Sequence, residues 1–133
     1  MKKILVAYDG GEPAHRAIEM AADLAHRFEA QVGVISVVPF HPGRVPIDPW
    51  DARPVHTSQL AEARELLAAR GIETVLHEPA GDPASMIERT AENGGYDVII
   101  VGSRGLGSLG RFLEGSVSEH VATHSGATVI VAR

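Results

Sequence analysis

Continuous runs of β-branched and other apolar residues recur along the chain, and they constrain the fold more than any other feature. They lie at residues 4–7, 32–38, 72–77, 97–102 and 127–132. The apolar residues in most of these runs are consecutive and do not alternate with polar ones, and the run at residues 72–77 is weaker. Such runs are typical of strands buried on both faces, as in a parallel sheet.

Helical patterns fill the intervals between these runs. Residues 12–28 and 57–70 carry apolar side chains at spacings of three and four, and Gly71 ends the second helix. Asp82 and Pro83 are predicted as the N-cap and first residue of a third helix that ends at Gly94-Gly95. Leu113, Val117 and Val121 predict a fourth helix. The stripe predicted for the first helix is Ala14, Ala17, Ile18, Ala21, Leu24, Ala25 and Phe28.

This alternation predicts an α/β fold with three layers and right-handed crossovers. We expect a doubly wound, Rossmann-like sheet of five parallel strands in the order 3-2-1-4-5, with about four helices. At 133 residues the chain is predicted to form a single domain over residues 1–133. Residues 39–54 hold five of the eight prolines and the one tryptophan, Trp50, and are predicted to form a long loop, either functional or a plain connector.

Composition excludes several classes of function. The absence of cysteine excludes disulfides, thiol catalysis and Cys-based metal sites. A formal net charge of −5 argues against nucleic acid as a partner. No apolar run approaches the roughly 20 residues that a membrane helix needs, and no signal peptide is visible, so we expect no membrane association and a cytoplasmic location.

Five of the 14 glycines fall between residues 102 and 115, where the fourth strand is predicted to lead into a helix. A glycine-rich loop at this point suits phosphate binding, because backbone N–H groups can approach the anion and the helix N-terminus adds positive charge. Arg104 and Arg111 contribute formal charge, and Ser103, Ser108 and Ser116 contribute hydroxyl donors.

Three familiar motifs almost match this segment but fail. Gly105, Gly107 and Gly110 satisfy G-x-G-x-x-G, yet no acidic residue follows about 20 positions later, as a dinucleotide site requires. The P-loop pattern lacks its Lys and its Ser or Thr, because Arg111 and Phe112 stand there. G-x-S-x-G fails at its first glycine around both Ser103 and Ser108.

A longer pattern does fit. The pattern is G-x2-G-x9-G-S, formed by Gly102, Gly105 and, after nine residues, Gly115-Ser116. In addition, the first strand ends in Ala7-Tyr8-Asp9-Gly10. On these residues the chain closely resembles the universal stress protein family, in its ATP-binding branch. The resemblance extends over the whole chain.

The resemblance implies a binding scheme for ATP or another adenine nucleotide. Asp9 would lie near the ribose or base, the Val37 backbone would contact the adenine, and Ser116 would help hold the phosphates. Any Mg²⁺ or Mn²⁺ would be held mainly by the phosphates, and no catalytic or metal-ligating residue is assigned. Asp9 has an alternative role as a cap of the first helix. The nucleotide-contacting set is Ala7, Asp9, Val37, Gly102, Arg104, Gly105, Gly107, Ser108, Gly115, Ser116 and Val117.

The leading functional hypothesis is a nucleotide-binding regulatory protein of the stress response that acts on an unknown protein partner. The alternatives are a slow ATPase, which is weakened by the lack of a candidate general base, and a nucleotide-independent dimeric scaffold. A flavodoxin-like carrier is disfavoured because Gly10-Gly11-Glu12-Pro13 is poor in Ser and Thr. Residues Ala127 to Ala132 are predicted as an edge strand that pairs with its copy in a homodimer.

Overall fold

The computed structural model describes residues 1–8, 10–39, 49–102 and 127–132. Its centre is a parallel sheet with the order β4-β2-β1-β6-β7. Counted over these five strands alone, the order is the predicted 3-2-1-4-5, so the predicted α/β fold is confirmed. The strands are β1 (Lys3–Ala7), β2 (Gln31–Ile35), β4 (Thr74–His77), β6 (Val98–Gly102) and β7 (Thr128–Ala132), with two short strands, β3 (Val38–Pro39) and β5 (Ala80–Gly81), between them.

Three helices cover the described part of the sheet: α1 (Glu12–Phe28), α2 (Pro49–Ala68) and α3 (Pro83–Gly94). The first and third match the predicted ranges, whereas α2 begins at Pro49 and not at residue 57. The second part of the predicted 39–54 loop is therefore helical, and residues 40–48 lie outside the described residues. Pro49 is compatible with this start, because a first-turn N–H has no helical partner to lose. The predicted fourth helix also lies outside the described residues.

None of the three described helices has a stretch apolar and long enough to cross a membrane.

Both faces of β1, β2 and β6 are buried, which explains why these three strands form continuous apolar runs. Ile4, Val6 and Ile100 pack against α1 and α2, whereas Leu5 and Ile99 pack on the opposite face with α3. The predicted stripe of α1 is confirmed at Ala14, Ala17, Ile18, Ala21 and Ala25, and Leu24 is partly buried. The placement of Phe28 on the buried stripe is wrong. Phe28 is the last residue of α1, lies beyond the core and is 53% exposed.

The predicted signals at the ends of α3 are confirmed. Asp82 is the N-cap, and its carboxylate accepts a hydrogen bond of 3.1 Å from the Ser85 N–H. Pro83 occupies the first turn, and Gly95 ends the helix in the left-handed conformation at φ 69°. These are local devices that satisfy the unpaired backbone groups of a helix end.

Tyr96 extends across the α3 face of the sheet from β6 towards β4. Its hydroxyl lies 2.8 Å from His77 Nε2, and the Lys3 ammonium lies 4.7 Å from its ring centre. A Cβ at Gly33, in the middle of β2, would overlap the phenol. Burial lowers the pKa of His77, with a further contribution from the charge of Lys3, and burial raises the pKa of Tyr96.

We expect acidification from about pH 7 to about pH 5 to destabilise the protein through His77. The folded-state pKa of His77 is depressed, so the unfolded chain binds more protons below the ordinary value of 6.5, and stability is lost as the pH falls. Urea unfolding at both pH values would measure this effect. The His77→Gln variant should lose less stability than wild type over the same interval, and an equal loss in both proteins would contradict the prediction.

Candidate functional site

The candidate site lies at the carboxyl edge of the sheet, where β1 and β6 are neighbours. β1 pairs with β2 on one side and with β6 on the other, so the strand order reverses between β1 and β6. In open α/β sheets, ligands bind beyond the carboxyl ends of the strands at such a reversal. Ala7 ends β1 and Gly102 ends β6, so both residues of the predicted set reach this edge.

The chain turns sharply after β1. The Tyr8 N–H donates to the Ile35 carbonyl at 3.0 Å, so the hydrogen bonding between β1 and β2 extends one residue beyond Ala7. Gly10 then has φ +85°, a conformation that favours glycine. The N-cap of α1 is Gly11 and not Asp9. Asp9 itself lies outside the described residues. The turn brings backbone with little side-chain bulk to the edge.

A carboxylate that sequence reasoning missed fixes this turn to both neighbouring helices. Glu62 of α2 accepts a hydrogen bond of 2.7 Å from the Tyr8 hydroxyl, and its same oxygen lies 2.8 Å from His15 Nε2 of α1. The Tyr8 hydrogen bond, followed by that of His15, lowers the pKa of Glu62. Nothing local in the sequence indicates this cluster, because its three residues come from three separate elements.

The Val37 backbone follows β2 at the carboxyl edge of the sheet. The Ser36 N–H donates to the His77 carbonyl at 3.0 Å and the Val38 N–H donates to the Pro79 carbonyl at 2.9 Å, both towards β4 and β5. Since successive N–H groups of an extended chain point to opposite sides, the N–H and carbonyl of Val37 are directed towards the end of β1. The short β3–β5 pairing, which was not predicted, holds the segment extended.

One side chain of α2 lies over the same edge. Gln59 Oε1 is 3.5 Å from the Ser36 hydroxyl, which donates to it, and Ser36 is only 3% exposed. Gln59 Nε2 lies 3.3 Å from the position that a Cβ on Gly10 would occupy. The carboxamide therefore packs between the ends of β1 and β2.

The close packing of α1 against β6 explains the glycine at position 102. A Cβ at this position would lie 2.9 Å from the Pro13 carbonyl carbon and 3.0 Å from the Ala14 nitrogen. The missing side chain lets the first turn of α1 approach the end of β6. This contact is a structural reason for glycine that is independent of any ligand.

The structure thus places three residues of the predicted set at the carboxyl edge: Ala7 and Gly102 end β1 and β6, and Val37 lies two residues beyond the end of β2. The remaining predicted residues lie outside the described residues: Asp9, Arg104, Gly105, Gly107, Ser108, Gly115, Ser116 and Val117. Within the described ranges, no three His, Asp or Glu side chains come together as a metal site.

A separate groove of about 600 Å³ runs between α1 and α2. Its walls include Ile18 and Leu66, and its charged residues are of both signs: Glu12, Glu19, Arg16 and Arg70. Because these charges balance, the groove offers no net attraction for a phosphate. We therefore place the candidate site at the carboxyl edge of the sheet and not in this groove.

Comparisons with known proteins agree with this architecture. The model of the Universal stress protein family matches residues 1–133. A putative universal stress protein from Staphylococcus haemolyticus is 30% identical over 99% of this chain and 84% of its own length. A structure of a universal stress protein family member from Burkholderia pseudomallei has a TM-score of 0.75 at 27% identity, covering 98% of this chain and 94% of that one.

Other solved members of similar fold contain adenine nucleotides. A universal stress protein from Archaeoglobus fulgidus in complex with dAMP has a TM-score of 0.74 at 23% identity and covers 100% of this chain and 98% of that one. One further structure is of a universal stress protein in complex with cAMP. Another, of a universal stress protein family protein from Arabidopsis thaliana, has AMP bound. At this level of identity the likeness shows the fold alone.

Replacing Gly102 with alanine is expected to destabilise the protein by about 1–3 kcal/mol, the usual range for overpacking. The added Cβ would meet backbone atoms of Pro13 and Ala14, which cannot swing away as a side chain can. Urea unfolding monitored by circular dichroism would measure the change. A Gly102→Ala variant as stable as wild type would show that α1 can withdraw from β6 at little cost.

Proposed function

The chain belongs to the universal stress protein family, and from this premise we propose that it is an ATP-binding regulatory protein of the stress response. The observation that carries the proposal is the carboxyl edge itself. There, the end of β1 lies between the ends of β2 and β6, and the glycine-rich segment follows β6 in the sequence. The adenine nucleotides bound by relatives of the same fold support the ligand class.

In the proposed complex the base lies against the Val37 backbone. Its N–H and carbonyl together offer a donor beside an acceptor, which complements the N1 and N6 positions of adenine. Asp9 lies near the ribose or base, and Ala7 lines the pocket. Gly10 lets the chain turn sharply beside this pocket, because its left-handed backbone conformation at φ +85° favours glycine.

The phosphates lie along the glycine-rich segment in this proposal. Gly102, Arg104 and Gly105 border the ribose and phosphates, Gly107 and Ser108 continue the loop, and Gly115, Ser116 and Val117 hold the phosphate tail. Backbone N–H groups and the Ser116 hydroxyl supply the donors. ATP, where it carries Mg²⁺ or Mn²⁺, brings the metal on its own phosphates and on water, since the scheme includes no metal-ligating carboxylate.

We also propose a homodimer formed through β7, which is an edge of the sheet. The Thr128 N–H donates to the Asp97 carbonyl at 3.0 Å, so the N–H groups of Thr128, Ile130 and Ala132 point towards β6. Those of Val129 and Val131 point to the open edge. Pairing two copies of this edge across a two-fold axis would satisfy these outward groups.

Gly115→Val is expected to abolish ATP binding, because an isopropyl group would occupy the space in which backbone approaches phosphate. Isothermal titration calorimetry of both proteins would test this, with Ala68→Val on the exposed surface of α2 as the control for added bulk. Unchanged ATP affinity in Gly115→Val would refute the phosphate placement. Steady ATP turnover by wild type that Ser116→Ala abolishes would instead favour the slow ATPase.

Val131→Pro is expected to convert the dimer to a monomer while leaving the sheet intact, because proline removes an N–H that points outward. Proline at Ile130 would instead break a bond to β6. Val131→Thr keeps the N–H and is the matched control, which should stay dimeric. Sedimentation at micromolar concentration would show the result, and a monomeric wild type or a dimeric Val131→Pro variant would exclude this interface.

A further inference from the structure

The outer edge of β4 is the second edge of the main sheet, at the opposite end from β7. Within the sheet, β4 pairs with β2 alone. The Ser36 N–H donates to the His77 carbonyl at 3.0 Å, so the backbone groups of Val75 and His77 point towards β2. Those of Thr74 and Leu76 therefore point outwards. In the part of the chain that the structure describes, these outward N–H and carbonyl groups make no hydrogen bond.

An apolar side chain is exposed in the middle of this edge. Val75 is 58% exposed, and its register partner on β2, Gly33, is covered by the phenol of Tyr96. Sheets commonly protect an edge with lysine, proline or a bulge. The strand β4 contains neither lysine nor proline, and its register with β2 is continuous. The edge is therefore a template on which one more strand can pair.

The charges at the two ends of β4 select the kind of strand that fits. Glu73 precedes the strand and Glu78 follows it, and both residues are exposed. The Glu78 carboxylate accepts a hydrogen bond of 3.1 Å from the Thr57 hydroxyl, which holds it beside α2. The cation nearest to β4 in sequence, Arg70, is already paired with Asp23 at 2.6 Å. Basic residues at the ends of an added strand would complement the two glutamates, and a β-branched residue at its centre would pack on the exposed valine.

A second copy of the chain fits this edge less well than a basic segment does. Pairing two β4 edges would bring Glu73 and Glu78 of one copy close to the same residues of the other. No lysine or arginine occurs between Arg70 and Arg89, so this part of the chain supplies no positive charge to offset them. Like charges on adjoining strands destabilise the pairing.

We infer that the β4 edge binds an extended segment of a partner protein, with basic residues on both sides of a β-branched centre. The segment adds to the five-stranded sheet as a further strand, and its backbone bonds to the outward groups of Thr74 and Leu76. This inference does not depend on the proposed nucleotide-binding function. Because β4 and β7 are opposite edges of the sheet, each protomer of the proposed dimer would keep its β4 edge open to a partner.

A fluorescein-labelled peptide of sequence KTVTVK, titrated with the full chain and followed by fluorescence anisotropy, tests the backbone contact. Its lysines have the same spacing as Glu73 and Glu78. Thr74→Pro should weaken binding about tenfold, because proline removes an outward N–H and its ring obstructs the edge. Thr74→Val is the matched control and should bind as wild type does, because it keeps the N–H and loses only a hydroxyl that has no hydrogen-bond partner.

The charge contact is tested on the same peptide. Replacing Glu73 and Glu78 together with glutamine should weaken binding roughly threefold or more and remove most of its dependence on salt. Glu19→Gln, at an exposed position of α1, makes the same kind of charge change away from β4 and should affect binding far less. The peptide ETVTVE should bind wild type more weakly than KTVTVK does.

Two peptides N-methylated on alternate residues leave the protein unchanged, so they test the inference even if Thr74→Pro fails to fold. A strand added to one edge directs every second N–H towards the sheet. One methylated peptide should therefore bind as KTVTVK does, and the other should not bind. Equal binding by both, or by neither, would overturn the inference.

The remaining outcomes also decide the matter. Failure of wild type to bind KTVTVK, or unchanged binding by a folded Thr74→Pro variant, would overturn the inference. Sedimentation shows whether a second copy occupies the edge. If Val131→Pro leaves a dimer that Thr74→Pro dissociates, the occupant is another copy of the chain and the inference is wrong. Thermal melting of each variant would identify any loss of the fold.

Discussion

The structure depends on the complete burial of β1 between its two parallel neighbours. Ile4, Leu5 and Val6 have no exposed surface, and both faces of the strand are covered by helices. A strand buried in this way needs β2 and β6 for its backbone hydrogen bonds and α1, α2 and α3 for its side chains. Because β1 is held in register with β2 and β6, it ends at the carboxyl edge of the sheet, and the turn at Tyr8 and Gly10 follows there. The location of the candidate site therefore follows from the same packing.

The features predicted correctly from the sequence are those with local causes. Apolar runs, the weakest of them at residues 72–77, identified the five main strands, and the Asp82-Pro83 and Gly94-Gly95 signals identified the ends of α3. The sequence did not predict the start of α2 at Pro49, because clustered prolines are typical of loops. Proline is nevertheless compatible with the first turn of a helix, where Pro49 lies. Phe28 was misplaced because its spacing fits the stripe, whereas its exposure depends on where the sheet ends beneath it.

The candidate site was predictable only in its general position. Three strand ends meet there as the topology requires, but the Glu62, Tyr8 and His15 cluster joins residues far apart in the chain. At Val37 the relevant groups belong to the backbone, and their direction is set by the bonds of Ser36 and Val38 to the neighbouring segment. No side-chain pattern encodes that direction, so it emerges only from the assembled sheet.

The packing of Tyr96 has an evolutionary consequence. A Cβ at Gly33 or at Gly94 would overlap its ring, so a side chain at either position requires the ring to move or to shrink. Positions 33, 94 and 96 are therefore linked by one packing contact, and we expect them to covary among relatives.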